Sequence, residues 1–302
     1  MGRYVDVDLI AGKKKIGLSG IITVLAAAFV IFCLCVIILV PGRGFMTVSK
    51  ARKGISEERY IIHAGGDVTD ENGRVLSYTN SLEALNNCYE KGNRIAEFDF
   101  MITSDDKVVC AHNSDEEGQW AHGISGAGYG PDYPATFSDF MNAKFEGSLT
   151  TMSLDDLAAF MIAHKDFVVV TDVKDDNEEV CRVIRRDYPD LTNSFIIQIY
   201  HPEQYEKIKA LGFSNIIYTL YEATDEEFTV EAISDFLKKS RLVGVTVWKE
   251  MPEDYPDRFE ALSASKIPIC VHTVNDADEM KKYFDMGISA IYTDVTDKDA
   301  RY

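Results

Sequence analysis

The sequence predicts an α/β protein: a (β/α)₈ barrel with an insertion after its second strand, preceded by a single transmembrane helix. Three observations lead there. Eight short apolar runs, separated mostly by helical segments, spread over about 240 residues, the size expected of such a barrel. Polar and titratable residues gather at the ends of those runs, where barrels of this class display their functional groups. Ile21 to Val40 is twenty residues without a charge, long enough to cross a bilayer as a helix. A doubly wound sheet is the alternative, but the chain has no glycine-rich phosphate turn of the G-x-G-x-x-G kind.

In order, residues 1–15 read as a short basic tail, 16–41 as the membrane helix, 42–57 as a basic linker and 58–302 as the barrel domain. A cleaved signal peptide is the rival reading of the apolar run. The run is too long for an ordinary h-region, and Pro41-Gly42-Arg43-Gly44 follows it in place of a small-residue cleavage site. Basic residues flank the run almost equally. The Lys13–Lys15 triplet tips the orientation toward N-terminus inside and domain outside.

The expected strands are Tyr60–His63, Ile95–Met101, Phe167–Lys174, Phe195–Tyr200, Ile216–Tyr221, Val243–Trp248, Pro268–Thr273 and Ala290–Asp294. Lys107–Cys110 forms a hairpin with the second. Helices open at Ser81, Ser153, His201-Pro202 and Asp276, and three of them stop at Gly92, Gly212 and Gly287. Residues 114–151 break the rhythm. This stretch is long, rich in Gly, aromatic and acidic residues, and aperiodic. Trp120, Tyr129, Tyr133 and Phe137 suit either a substrate lid or a small subdomain with its own apolar contacts.

Charge is divided unevenly. Residues 1–54 hold 8 Lys/Arg against 2 Asp/Glu in a chain whose net charge is −18, which leaves −24 on residues 55–302. So acidic a domain repels a polyanionic backbone and excludes nucleic acid as the expected partner. The basic flanks of the apolar run suit anionic lipid headgroups. Cys88, Cys110, Cys181 and Cys270 are scattered in apolar contexts without a C-x-x-C, so buried free thiols are expected.

The candidate site lies between Arg94 and Asn113, RIAEFDFMITSDDKVVCAHN. Glu97 and Asp99 are two apart on a strand and share a face. The hairpin returns His112 beside them, and the first strand ends at His63. Asp172 and Lys174, again two apart, end the fully apolar run FVVVT. An internal salt-bridge cluster explains one such pair, but explains less well three carboxylates, a lysine and two histidines at one rim. Three carboxylates without a cysteine cluster select a hard cation, Ca²⁺ or Mg²⁺, over zinc. Such a cation neutralises a phosphodiester oxygen. Lys174 adds positive charge, and His63 and His112 divide the proton transfers. His122, His164 and His201 read as surface or structural residues.

Read in order, IIHAGG, TNSLEAL, EFDFMITSDDKVVCAHN, MSLDDL, TDVK, VHTVND and AIYTD resemble the glycerophosphodiester phosphodiesterase family, within the phosphatidylinositol phospholipase C-like superfamily. The likeness runs from about Arg59 to the C-terminus. It implies an acid/base pair at His63 and His112, metal carboxylates at Glu97, Asp99 and Asp172, a phosphate-facing lysine at Lys174, and a site asparagine at Asn80. Gln198, Trp248 and His272 are the further expected substrate contacts. Relatives usually have Arg where this chain has Ala64, Glu where it has Asp172, and often Asp where it has Asn113. The first departure removes a bidentate phosphate contact, which bears on the substrate more than on the reaction.

The resulting expectation is a membrane-anchored, metal-dependent phosphodiesterase acting on a glycerophosphodiester-like small molecule, lipid headgroup or phosphate polymer, with its domain outside the cytoplasm. The alternative is a catalytically weak, membrane-tethered binding module for a phosphorylated glycan or lipid. A third reading is phospholipase-type activity on intact lipid.

Overall fold

The computed structural model describes residues 5–7, 14–16, 47–116, 119–124 and 134–302. The chain divides into two units, Met1–Phe45 and Met46–Tyr302. In the first, Val5–Val7 and Lys14–Ile16 pair as antiparallel strands. The expected membrane run 21–40 lies outside the described residues, as do Tyr129 and Tyr133. Among the described residues no helix is long and apolar enough to cross a membrane.

The second unit is a closed parallel barrel. Its strands are β1 (Tyr60–Ile62), β2 (Ile95–Ile102), β3 (Val168–Val173), β4 (Phe195–Ile199), β5 (Ile216–Thr219), β6 (Gly244–Trp248), β7 (Ile269–His272) and β8 (Ala290–Thr293). Each pairs with the next in sequence, and β1 closes the ring between β8 and β2. All eight lie where the sequence placed them. Most end one or two residues earlier than expected, because residues such as His63, Tyr200 and Asp294 leave the ladder to face the barrel mouth. Val108–Cys110 and Met152–Ser153 extend β2 outward as antiparallel strands.

The principal helices are α1 (Val48–Glu58), α2 (Leu82–Glu90), α3 (Leu154–Ala163), α4 (Asn177–Asp187), α5 (Gln204–Ala210), α6 (Val230–Lys239), α7 (Pro256–Ala264) and α8 (Ala277–Asp285). Local chemistry explains their ends. Ser81, Ser153 and Asp276 cap α2, α3 and α8 through their side-chain oxygens, and Ser153 forms a reciprocal box with Asp156. The α5 helix starts later than Pro202, because Gln204 Oε1 accepts from the Tyr200 and His201 amides and holds that turn open.

Strand residues alternate between two apolar layers. Outward residues such as Phe98, Val169, Ile197 and Val245 pack beneath the helices. Inward residues Ile61, Ile95, Val170, Ile196, Ile217, Cys270 and Ala290 fill the lower barrel.

The expected linker 42–57 is corrected by α1. Val48, Ala51 and Ile55, on one helical face, close the bottom of the barrel against that inward layer, and Arg52 Nε donates to Leu242 O at 2.7 Å. The insertion resolves toward the subdomain reading. Phe137–Asn142 and the hairpin Lys144–Phe145/Leu149–Thr150 join Trp120, Ile124, Phe140 and Phe145 in a satellite core over Met101, Val109 and Ala111.

Candidate active site

The barrel mouth gathers the predicted residues by strand geometry. Glu97 and Asp99 point inward from β2, with Asp172 in register beside Asp99 on β3. One oxygen from each of these three carboxylates lies within 4.8 Å of the others. Glu97 Oε2 accepts from the Ala64 amide at 3.0 Å. Its Oε1 is buried and, among the described residues, has no hydrogen-bond partner. A buried, unpaired carboxylate oxygen costs free energy unless something cationic meets it. An all-oxygen donor set with that orphaned atom fits a hard cation such as Ca²⁺ or Mg²⁺.

Lys174 bridges the cluster, with Nζ 3.2 Å from Asp99 Oδ1 and 2.9 Å from Asp172 Oδ2. Burial alone would lower its pKa, but the charges of Asp99 and Asp172 outweigh burial and hold it protonated. Asp172 is held below the usual carboxylate range. Its burial acts the other way and is overcome by Lys174 and by the Tyr200 and Tyr221 hydroxyls. Tyr200 donates to Oδ1, and Tyr221 lies 3.2 Å from both oxygens. Glu97 is pushed well above the ordinary range, first by burial and then by Asp99.

The two expected proton carriers both meet the Tyr78 ring, and His63 also feels the charges of Glu97 and Asp99. His63 Nδ1 donates to Asp294 Oδ1 at 2.8 Å. His112 Nδ1 donates to the Asn113 carbonyl at 2.6 Å. Each ring is thus oriented through Nδ1, with Nε2 left to face a ligand. Burial would lower the His63 pKa, but the Asp294 hydrogen bond and the charges of Glu97, Asp294 and Asp99 raise it to about 9. The backbone that delivers His63 is a tight turn closed by Gly66 (φ +83°), where a Cβ would collide with Thr296 Cγ2 and Ile62 Cγ2.

The remaining expected residues divide. Asn80 clamps Asp99, donating to Oδ2 at 2.8 Å and accepting from the Asp99 amide at 3.0 Å. Gln198 lies on the inward face of β4, in register with the inward Ile217. Trp248 packs with Phe228 and Tyr255, in an aromatic group separate from the carboxylates. His272 ends β7 with its ring 5.4 Å from that of Tyr221. Cys88, Cys110, Cys181 and Cys270 are buried free thiols, as expected.

Three residues at the site were not singled out in the sequence. Asp294 orients His63; its place at the end of the eighth run was the available signal. Tyr78 stacks on His63 at 4.8 Å and lies 5.0 Å from His112, and nothing in the local sequence points to it. His122, expected to be peripheral, also meets Tyr78, at 5.3 Å. The backbone pairing of Asn113 with Ala121 folds the insertion back toward the rim.

Comparison with known proteins places the chain in a family and matches its fold. The sequence profile of the Glycerophosphoryl diester phosphodiesterase family matches residues 135–298, a span that contains Asp172, Lys174, His272 and Asp294. No curated protein sequence matches the chain. Solved structures do match in fold. A glycerophosphoryl diester phosphodiesterase from Parabacteroides distasonis aligns with a TM-score of 0.61 at 16% identity, over 84% of this chain and 91% of that one. The Thermotoga maritima glycerophosphodiester phosphodiesterase gives 0.58 at 21%, over 79% and 95%. An Oleispira antarctica phosphodiesterase, solved with sn-glycerol-3-phosphate, gives 0.59 at 15%, over 80% and 96%. With a profile match over more than half its length, on a barrel whose mouth carries these carboxylates and histidines, the chain belongs to the glycerophosphoryl diester phosphodiesterase family.

Proposed function

We propose that this phosphodiesterase hydrolyses a glycerophosphodiester-like substrate with a divalent cation, using His63 and His112 as its acid/base pair. The observation that carries the reading is a three-carboxylate cluster in a barrel mouth that also holds two imidazoles, each tied at Nδ1 and both against the Tyr78 ring. Glu97, Asp99 and Asp172 would hold Ca²⁺ or Mg²⁺, which supplies Lewis-acid neutralisation of a phosphoryl oxygen. Lys174 contributes fixed positive charge where negative charge develops on phosphorus. One histidine takes the proton of the attacking hydroxyl or water at Nε2. The other delivers a proton to the departing alkoxide, so the alcohol leaves neutral. As in the family it resembles, the first nucleophile is a substrate hydroxyl beside the phosphate, which gives a cyclic phosphate that water then opens. Ala64 brings no side-chain cation, and its amide already donates to Glu97 Oε2, so the substrate is gripped with one cation fewer than the family pattern provides.

The test is a panel of glycerophosphodiesters incubated with residues 47–302, in Ca²⁺, in Mg²⁺ and in chelator, following release of glycerol phosphate or alcohol. Cation-dependent release is expected. Tight binding without product would favour the binding-module alternative, and product in chelator would end the metal-dependent reading.

We further propose that the uncharged run 21–40, with basic residues on both sides, anchors the protein in a membrane and leaves the catalytic domain outside the cytoplasm. Full-length protein is expected in the membrane fraction after a carbonate wash and residues 47–302 in the supernatant. Full-length protein in the supernatant would reject the anchor.

A further inference from the structure

The Tyr78 ring is the common neighbour of three histidines. It stacks on His63 at 4.8 Å with the planes 14° apart, and lies 5.0 Å from His112 and 5.3 Å from His122. The backbone that holds it there is strained. Tyr78 has φ +61° and Asn80 φ +50°, in the left-handed region that residues other than glycine seldom enter. Asn80 pins the segment. Its amide donates to Ala64 O at 3.1 Å, and its side chain clamps Asp99. Strain held beside reacting groups points to a task for the side chain it displays.

Stacking alone does not call for a tyrosine, since phenylalanine would stack as well. The hydroxyl needs its own account. The other neutral donors around the carboxylates are committed: Tyr200 and Tyr221 to Asp172, and Asn80 to Asp99. Lys174 is shared between Asp99 and Asp172. The Tyr78 hydroxyl has no hydrogen-bond partner among the described residues. It nevertheless lies in the field of the site. Burial first, then the charges of Asp99, Glu97, Asp172 and Asp294, raise its pKa far above that of an ordinary phenol. It is therefore a donor that keeps its proton at any working pH. Beside it, the Ala64 amide is already spent on Glu97 Oε2. An uncommitted donor between two imidazoles suits an anionic oxygen that arrives with a ligand.

We propose that Tyr78 binds substrate, its hydroxyl donating a hydrogen bond to a non-bridging phosphoryl oxygen between His63 and His112. The inference rests on the phosphodiesterase reading above and deepens it by naming a phosphate contact. A neutral donor fits this position. It adds a directed bond to phosphate without pairing with the carboxylates, as a second ammonium or guanidinium would. The phosphoryl oxygen is anionic in substrate and product alike, so the contact acts on phosphate binding itself as well as on turnover.

The experiment uses full-length protein in Mg²⁺, with inorganic phosphate as the calorimetric probe and the p-nitrophenyl phosphodiester of glycerol as the kinetic one. Tyr78→Phe keeps the stack on His63 and removes only the hydroxyl. It is expected to weaken phosphate binding by about tenfold to a hundredfold, the range for a hydrogen bond to a charged group, and to lower kcat/KM by a similar factor. Mg²⁺ affinity and melting temperature are expected to stay near those of wild type. Tyr78→Leu, which also removes the stack, is expected to bind phosphate no worse than Tyr78→Phe and to lose further in kcat. Unchanged phosphate affinity in Tyr78→Phe would overturn the proposal, even with turnover reduced, because the hydroxyl would then act through the histidines. An equal loss of Mg²⁺ affinity would also overturn it, by making the hydroxyl a support of the carboxylates. Wild-type protein that binds phosphate through Tyr78 yet cleaves no diester with any cation would sink the phosphodiesterase reading instead. Cleavage of the diester with Tyr78→Phe equal to wild type in both measurements would sink only the present inference.

Discussion

Replacing His63 or His112 with alanine lowers kcat by about a hundredfold to ten-thousandfold, the range expected for losing a positioned proton carrier, and leaves cation binding nearly intact. The separation follows from the geometry. Neither imidazole contributes to the three-carboxylate cluster, whose members are held by Asn80, the Ala64 amide, Lys174, Tyr200 and Tyr221. Both rings stand against Tyr78 at the mouth, outside the two apolar layers that hold the barrel together. The double variant falls little below the worse single one, because proton uptake and proton delivery are successive halves of one transfer. Steady-state kinetics beside calorimetric cation titration checks this. Full turnover in both single variants would remove the acid/base assignment.

Glu97→Gln abolishes cation-dependent turnover and makes the cation-free protein more stable. Glu97 is 2% exposed, and its Oε1 has no partner among the described residues. Burial, then the charge of Asp99, raises its pKa well above 4.5. A carboxyl that holds its proton more tightly folded than unfolded costs stability once the unfolded form is ionised. The penalty begins above about pH 4.5 and grows as pH climbs toward the folded value. Glutamine has the same shape without the charge, and its carbonyl can still accept from the Ala64 amide. In chelator near neutral pH the variant should melt several degrees higher, a gain of about 1–3 kcal/mol, and the gap should close toward pH 4. Adding cation reverses the order, since only wild type gains much from ligand linkage. A variant that melts lower in chelator, or gains as much from the cation as wild type does, would refute the account. Stability surrendered at such a position is a mark of function.

Much of this architecture was readable because strand periodicity exposes it. Alternation put Glu97 and Asp99 on one face of their strand and Asp172 and Lys174 on one face of theirs, and the register makes both faces the inward one. The caps at Ser81, Ser153 and Asp276 marked helix starts from single residues. The α1 helix escaped notice because Val48, Ala51 and Ile55 form too sparse a stripe among Lys50, Arg52 and Lys53, so its helicity shows only against the barrel floor it covers. Asp294 carried no sign that it would reach His63, 231 residues away, because that contact depends on ring closure. Tyr78 and His122 were hidden for a similar reason. Their neighbours are set by how the insertion folds back, which no local pattern encodes.

Ring closure also bears on how the molecule is made. Strand β1 is among the first parts of the barrel to be synthesised, yet its partner β8, paired from Ile291 with Tyr60 to Thr293 with Ile62, is among the last. Arg301 then packs its guanidinium 4.6 Å from the Tyr60 ring. Such remote pairing slows folding and leaves strand edges open while the chain emerges. The seam that closes last is also the one that joins Asp294 to His63. A chain without β8 can therefore set the carboxylates of β2 and β3 in register and still lack the Asp294 contact that orients His63.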